Sequence, residues 1–125
     1  GSPHKQGCTY TALNEVAKSL NENDIDTKIF WIGNKPIGGC IACKSCVTKG
    51  KCIFNDIVNE FLDIAINYDG FIFGTPVHWG AMAGNMASFM DRVFYADFCS
   101  NKQSFFVETN SRCDFSKKSR YYSYF

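Results

Sequence analysis

Apolar residues recur near the start of the chain with the spacing of an amphipathic helix. The helix is predicted to begin at a Thr9 or Thr11 cap and to end near Leu20, before a polar break at residues 21–24. Its apolar face, at positions i, i+3, i+4 and i+7, consists of Leu13, Val16, Ala17 and Leu20.

Two later segments have the same periodicity. A second helix is predicted from a cap at Asn55 or Asp56, and a third over residues 81–96. The apolar face of the second consists of Ile57, Phe61 and Ile64, widened by Val58, Leu62 and Ala65. The apolar face of the third consists of Met82, Met86, Phe89, Met90 and Val93. The pattern thus predicts three amphipathic helices in all.

Between the helices lie two runs that are typical of strands. Residues 25–32 are rich in β-branched and aromatic residues, and residues 71–74 form a short apolar run like those of buried parallel strands. Helices that alternate with strands through short links indicate βα units, a parallel sheet and an α/β fold. A first strand is expected before residue 1 in this order, and it is absent from the sequence.

Composition and charge narrow the functional class. The 125 residues suit one small domain, and a hydrophobic content of 46% indicates a globular chain. A formal net charge of +1 argues against nucleic acid or an anionic membrane as the partner. No apolar run reaches the roughly 18 residues of a membrane span, and no signal peptide begins the chain. We therefore expect a cytoplasmic protein.

Two loops carry residues that suit a ligand. Residues 1–9, GSPHKQGCT, place small and hydroxyl side chains just before a helix, where backbone N–H groups can cradle a phosphate. Residues 74–80, GTPVHWG, follow a predicted strand and set aromatic side chains between glycines, which suits a flat ring. From the residues alone, the first can also be an ordinary capped helix start, and the second a turn with a buried tryptophan.

Together the two loops resemble the NADPH-dependent FMN reductase family of flavodoxin-like proteins. Its phosphate loop is approximately G-S-P-R-x-x-G-N-T and its flavin loop approximately G-[ST]-P-V-Y-[FW]-G, and Asp91–Arg92 in the third helix also fits. The resemblance covers residues 1–97. It implies a flavodoxin-like, doubly wound parallel sheet with FMN at the point where the strand order reverses. It further implies NADPH as electron donor and a homodimer or homotetramer.

The family pattern also implies which residues bind the flavin. The FMN phosphate is expected at Ser2, His4, Cys8 and Thr9, and the ring at Pro76, Val77, His78, Trp79 and Gly80. His4 stands where the family has arginine, which gives a weaker and pH-dependent phosphate contact. Cys8 replaces asparagine and lacks its side-chain amide. No side chain is a convincing general acid or base, so the flavin is expected to supply the redox chemistry.

Seven cysteines in a chain without a secretion signal argue against a disulfide framework. Four of them form the pattern Cys40-x2-Cys43-x2-Cys46-x5-Cys52. Such short spacers suit a [4Fe–4S] cluster, whereas zinc usually takes two separated pairs; free or structural thiols are the third option. The pattern looks like that of iron–sulfur flavoproteins, a branch of the same family in which the cluster passes electrons to FMN. Cys8, Cys99 and Cys113 are expected to be incidental to any metal.

The family pattern stops after about Asp97. Residues 101–125 are polar and aromatic without clear periodicity. Permitted codons for this segment, when read from their second base, encode T-N-K-A-F-L-L-K-P-T-A-A-V-I-S-A-R-R-A-G-T-T-A-T, the continuation expected of the family. We therefore predict a partial flavodoxin-like domain over residues 1–97 and an out-of-frame tail over residues 98–125.

Two classes of function follow from these features. The first is an FMN-dependent oxidoreductase or electron-transfer flavoprotein that works with a redox partner or a nicotinamide donor. The alternative is a truncated remnant without function, or a small four-cysteine metal-binding module without flavin. Because strands are expected to be missing at both ends, the chain itself is predicted to bind FMN weakly or not at all.

Overall fold

The computed structural model describes residues 1–100, in which four helices and one short pair of strands are present. The helices are α1 (Cys8–Asn21), α2 (Ser45–Lys49), α3 (Ile57–Ala65) and α4 (Gly84–Cys99). Strand β1 (Val77–His78) pairs antiparallel with β2 (Ala81–Met82). Within residues 1–100, no helix has the length and apolar character needed to cross a membrane.

The chain divides into two compact units. The first comprises Gly1–Ile37 and Gly74–Ala87, and contains α1 and the β1–β2 hairpin. Among the described residues, the second comprises Gly38–Phe73 and residues 88–100, and contains α2, α3 and most of α4. Of the predicted out-of-frame tail, residues 101–125 lie outside the described residues, whereas residues 98–99 continue α4.

Helix α1 confirms the first predicted helix but corrects its start. Its N-cap is Gly7, whose extended backbone (φ −87°, ψ −171°) leads into the helix without any side-chain cap. The predicted caps Thr9 and Thr11 both lie inside the helix, and the Thr11 hydroxyl reaches back to the Gly7 carbonyl at 3.5 Å. No α1 residue is buried, and Val16 on the predicted apolar face is 42% exposed. The described residues therefore cover this face only in part.

The β1–β2 hairpin corrects the start of the third predicted helix. Trp79 and Gly80 connect the two strands and both have positive φ, +49° and +75°, which is the signature of a two-residue type I′ turn. The Ala83 N–H then donates to the Pro76 carbonyl and to the Thr75 hydroxyl, each at 3.2 Å. Helix α4 consequently begins at Gly84, and Met82, predicted on its apolar face, is an exposed strand residue.

Neither predicted strand is formed within residues 1–100. Residues 25–32 have no strand structure, and in residues 71–74 only Ile72 forms a bridge. A β-strand exists only with a hydrogen-bonded neighbour, and neither run has a neighbouring strand within residues 1–100. The doubly wound parallel sheet accordingly remains a prediction, and the described strand pair is antiparallel.

The core of the second unit confirms part of the predicted faces of α3 and α4, in which Ile57, Ile64 and Met90 are only half-buried. Asp56 caps α3 by accepting the Val58 N–H at 3.2 Å, as predicted. Phe61 of α3 packs edge-to-face on Phe89 of α4, with ring centroids 5.2 Å apart, and on Phe71 at 5.8 Å. The buried apolar residues of this unit are Cys46, Val58, Phe61, Leu62, Ala65, Phe89, Val93 and Ala96.

Candidate functional site

The predicted phosphate loop leads directly into the N-terminus of α1. The Ser2 hydroxyl accepts the His4 N–H at 3.2 Å, and the Gly7 N–H donates to the His4 carbonyl at 3.4 Å, which folds the loop into a turn. Because Gly7 has no side chain for capping, the first N–H groups of α1 have no side-chain acceptor. N–H groups at the positive end of a helix dipole can bind an anion, and the predicted phosphate contacts Cys8 and Thr9 lie at this end of α1. Phosphate binding there stays a prediction.

Two residues that the sequence did not single out support this loop. The Trp31 indole N–H donates to the Ser2 carbonyl at 3.0 Å. The Lys5 ammonium lies 5.7 Å from the centre of the Trp31 ring, within the range of a cation–π contact. Lys5 therefore adds a fixed positive charge to a loop in which His4 replaces arginine. The charge of Lys5 was visible in the sequence, but its ring partner is 26 residues away and was not.

The phosphate loop and the predicted ring loop begin side by side. The Gly1 nitrogen donates to the Gly74 carbonyl at 2.6 Å. A Cβ atom on Gly74 would lie 2.7 Å from Leu13 Cδ1 and 3.0 Å from Thr9 Cγ2, so the Gly74 backbone rests directly on α1. The first unit thus brings together the starts of the two loops that the sequence assigned to one ligand.

The predicted ring loop forms the β1–β2 hairpin and exposes its aromatic residue. Pro76 is half-buried, whereas Val77, His78, Trp79 and Gly80 are exposed, and Trp79 is fully open to solvent. The alternative of a turn with a buried tryptophan is therefore wrong. A left-handed backbone costs an L-residue about 1–2 kcal/mol, so Trp79 is held in a strained conformation at the tip of a hairpin. Strain of this kind is common where a side chain is presented to a ligand.

The four clustered cysteines line one cleft of the second unit. The cleft is shallow and open to solvent, with room of about 20 Å³ for the centres of water-sized groups. Cys46 is buried in α2, Cys40 and Cys52 are half-buried, and Cys43 is exposed. The other residues lining the cleft are Ile41, Lys44, Ile53, Phe54, Arg92, Tyr95 and Ala96.

The cleft suits a sulfur-ligated group in chemistry, although its thiols are not gathered around one point. Within residues 1–100, no three His, Cys, Asp or Glu side chains lie close enough to hold one metal ion. Yet four cysteines of one segment line a common cleft, and thiolates are the ligands of iron–sulfur clusters. The Ser45 hydroxyl lies between Cys43 and Cys46 in sequence but outside the cleft lining, and it is buried without a hydrogen-bond partner in the described part of the chain. The residues therefore fit such a group, and its assignment stays a prediction.

Arg92 of α4 reaches the cleft from the interior and is buried. Its two terminal nitrogens form a bidentate pair with Asp56, at 2.7 and 2.8 Å, and its Nε donates to Cys52 Sγ at 3.2 Å. It also donates to the Gly38 carbonyl at 3.3 Å and stacks 4.9 Å from the Phe54 ring centre. Burial disfavours the charge, but the hydrogen bonds and charges of Asp56 and Cys52 outweigh it and raise the pKa of Arg92. In the sequence, Arg92 stands out only as part of the Asp91–Arg92 pair that fits the family resemblance.

Other side chains from α3 and α4 fix the backbone of the first and last cysteines. The Asn59 amide accepts the Cys52 N–H at 2.9 Å and donates to the Cys52 carbonyl at 3.0 Å. Asp91 accepts the Cys40 N–H at 3.1 Å. Asp56 could be predicted from the sequence as a cap of α3. Asn59 could not, because apolar periodicity along α3 and α4 gives no signal for a buried polar residue.

Two further groups beside the cleft have altered acidity. Burial, followed by the charges of Cys99 and Cys40, raises the pKa of the Cys46 thiol. A hydrogen bond with Cys99, and the charge of Cys99, raise the pKa of Tyr95. Cys99 is thus hydrogen-bonded to Tyr95, a residue of the cleft lining, but does not itself line the cleft. Cys113 lies outside the described residues.

Comparison with known proteins assigns the family. The model of the family described as NADPH-dependent FMN reductase matches residues 1–111. The chain belongs to the NADPH-dependent FMN reductase family. Membership confirms the resemblance seen in the two loops, and it makes this a member of an oxidoreductase and flavoprotein family. The mixed helix and strand content of residues 1–100 is compatible with that family.

Similar members of the FMN reductase family are named iron–sulfur flavoproteins. One from Methanocaldococcus jannaschii is 34% identical over 92 residues, covering 74% of this chain and 48% of that protein. Another from the same organism is 37% identical over 93 residues, covering 74% and 46%. One from Archaeoglobus fulgidus is 29% identical over 93 residues, covering 74% and 42%. The chain spans about half the length of the curated relatives it matches. Comparison with solved structures gives no significant match.

Proposed function

We propose that this chain is the flavin-binding part of an iron–sulfur flavoprotein. In this proposal a [4Fe–4S] cluster held by Cys40, Cys43, Cys46 and Cys52 passes electrons to FMN, and the whole protein is an FMN-dependent oxidoreductase or electron carrier of the cytoplasm. The observation that carries the proposal is the single cleft lined by all four cysteines. The names of the relatives support it, because they combine a flavin with iron and sulfur.

The flavin would be held by the first unit. Its phosphate would bind at the first turn of α1, beside Ser2, His4, Cys8 and Thr9, and its ring would border residues 76–80. The junction of Gly1 with Gly74 supports a single ligand shared by the two loops. When bound, the flavin supplies the redox chemistry, and the protein contributes binding and orientation.

Electrons would enter from NADPH or from a reduced redox protein. NADPH is the donor in the name of the family, and we extend that donor to this chain only as part of the proposal. Anaerobic addition of NADPH to the FMN-loaded protein should bleach the flavin absorbance. A homodimer or homotetramer is also proposed, again by extension from the family, and sedimentation analysis measures the number of subunits.

Anaerobic reconstitution tests the proposal. Incubation with iron, sulfide and FMN should give the two structured bands of a flavin, a broad brown shoulder and about four irons per chain. Cys46→Ser should lose the iron and the shoulder while it retains the flavin bands. Cys99→Ser, which removes a thiol outside the cleft lining, should retain all three signals.

The same measurement separates the alternatives. One tightly held zinc, or no metal at all, would show that the cluster assignment is wrong. Metal without flavin bands would indicate the four-cysteine metal-binding module. A chain that retains neither group would indicate a remnant without function.

A further inference from the structure

We infer that Arg92 is a positioning residue for the four-cysteine site: one buried guanidinium ties both ends of the cysteine segment and sets the environment of the Cys52 sulfur. The inference rests on the proposed function, since it assumes that the four thiols hold one group. It adds a residue from α4, outside the cysteine motif, to the parts of that site.

The hydrogen bonds of Arg92 show that it does more than pair with Asp56, the cap of α3. The pair with Asp56 uses the two terminal nitrogens. The Nε donor lies on the adjacent edge of the guanidinium and is directed at Cys52 Sγ. With the bond to the Gly38 carbonyl, four of the five N–H donors of an arginine are used. A lysine at this position could supply the charge but not this fixed fork of donors.

The partners of Arg92 bracket the cysteine segment. Gly38 lies two residues before Cys40, and Asp56 lies four residues after Cys52. One side chain therefore closes the segment between them into a loop, and Asp91, the preceding residue of α4, holds the Cys40 N–H. Closing a loop in advance removes part of the entropy that a bound group would otherwise have to overcome.

The charge of Arg92 acts on the same sulfur. Arg92 is only 2% exposed, so the electric field of its charge is screened much less than that of a surface lysine. Lys44, the other cation in the lining of the cleft, is exposed. Hydrogen bonds to cluster sulfurs and nearby charge set the reduction potential of an iron–sulfur cluster. Loss of the Arg92 donor should therefore make reduction of a cluster at this site harder.

Cobalt binding by the full 125-residue chain tests the positioning role without any enzymatic assay. Co²⁺ is titrated into the reduced apoprotein and detected by its thiolate charge-transfer absorbance. Arg92→Lys and Arg92→Gln should bind Co²⁺ about 10–100-fold more weakly than the unmodified chain, as is usual when a residue supporting metal ligands is lost. The matched control is Lys51→Gln, which removes a positive charge next to Cys52 in sequence. The ion pair of Lys51 with Asp63 is exposed. This variant should change the affinity by no more than about twofold.

The reduction potential separates positioning from mere stability. After reconstitution with iron and sulfide, Arg92→Gln should have a more negative midpoint potential than the unmodified chain, and Lys51→Gln should not. Circular dichroism shows which variants are folded. If Arg92→Gln unfolds, Arg92→Lys, which keeps the charge, replaces it in both measurements. Equal Co²⁺ affinity and equal potential in folded Arg92 variants would overturn the inference. So would unfolding of both variants, which would assign Arg92 to the fold alone.

The proposed function fails separately. An unmodified chain that takes up neither iron nor Co²⁺ would overturn the cluster, and with it any group for Arg92 to position. If the unmodified chain has a normal iron content and the Arg92 variants match it in Co²⁺ affinity and reduction potential, only the role of Arg92 would be overturned.

Discussion

Trp79 has a fully exposed indole ring on a backbone in the left-handed region. Neither property lowers the free energy of the isolated chain, because the ring gains no burial and the backbone is strained by about 1–2 kcal/mol. Both are useful if a flat ring binds at the hairpin, since the indole then gains a stacking partner. The structure of Trp79 is thus consistent with a ligand-facing role.

This role predicts a fluorescence signal. Adding FMN should quench the emission of Trp79, because a stacked flavin accepts its excitation. Trp79→Phe keeps an aromatic ring but removes this emission, leaving only Trp31, so FMN should quench a smaller fraction of its fluorescence. Titrations of both chains at equal FMN occupancy measure the difference. Equal fractional quenching in the two chains would place the flavin elsewhere.

The cysteines of the cleft should differ in reactivity as they differ in exposure. Cys46 is 7% exposed, and burial raises its pKa, whereas Cys43 is exposed. A raised pKa leaves less thiolate at a given pH, and the thiolate is the species that reacts. In the apoprotein near pH 8, iodoacetamide should therefore alkylate Cys46 more slowly than Cys43. The difference should narrow as the pH rises through the pKa of Cys46. Peptide mass spectrometry follows both sites, and equal rates near pH 8 would contradict the burial of Cys46.

At the scale of elements, Asp56 has two tasks. It caps α3 and forms the bidentate pair with buried Arg92. Asp56→Ala should therefore lower the free energy of unfolding by more than the ~1 kcal/mol of a lost cap and approach the ~3 kcal/mol of a broken buried ion pair. Asp56→Asn should cost less, because asparagine caps as well as aspartate and still accepts from Arg92. Urea unfolding measures both variants.

Asp63 supplies the control for Asp56 on the same helix. Its carboxylate pairs with Lys51 at 2.7 Å, but both side chains are about half exposed. Exposed pairs contribute about 0–1 kcal/mol, so Asp63→Ala should be nearly neutral. A loss of stability at Asp63 as large as that of Asp56→Ala would mean that burial does not set the strength of these pairs.

How far the elements could be predicted depends on where their stabilising partners lie. Helix α3 was predicted well because its signals are local: an Asp56 cap followed by apolar periodicity. The start of α1 was missed because hydroxyl residues favour caps only as a tendency, and Gly7 takes the cap instead. Helix α2 has five residues, too few for a periodic signal. The hairpin was missed because Trp79 is an unusual residue for a type I′ turn.

In the candidate site, too, local motifs could be predicted and distant partners could not. The loops at residues 1–9 and 74–80 and the four cysteines are contiguous motifs, so the sequence could identify them. Arg92, Asn59 and Trp31 act across separations of 7–54 residues, and nothing in a single sequence records such distant pairs. Strand prediction failed for a related reason, since a strand needs a distant neighbour that local preference cannot supply.

At the scale of the whole molecule, much apolar surface lacks cover within residues 1–100. Helix α1 buries no residue, and Ile25 and Ile29, in a predicted strand, are 50% and 37% exposed. A pocket whose supporting elements are poorly packed must be ordered by its ligand, and each side chain ordered costs about 0.5–1.5 kcal/mol. The state of the supporting elements should therefore govern flavin affinity.

A comparison of two chains tests this. The second chain has an apolar strand added before residue 1 and the shifted-frame sequence after Asp97. The 125-residue chain should bind FMN at least about tenfold more weakly, because ordering two or three side chains costs the free energy of a tenfold change in affinity, about 1.4 kcal/mol. Isothermal titration of both chains with FMN measures the ratio. Similar affinities would show that the predicted strand and the predicted tail have no bearing on the pocket.

The close approach of Gly74 to α1 has a consequence for how this sequence can vary. Position 74 has room only for a hydrogen atom while Leu13 and Thr9 remain opposite it, although 61 residues separate it from Leu13 along the chain. A mutation that gives residue 74 a methyl group would push on Thr9, a predicted phosphate contact, and a smaller residue at position 13 would be its natural suppressor. In the evolution of this family, positions 13 and 74 should therefore change together or not at all.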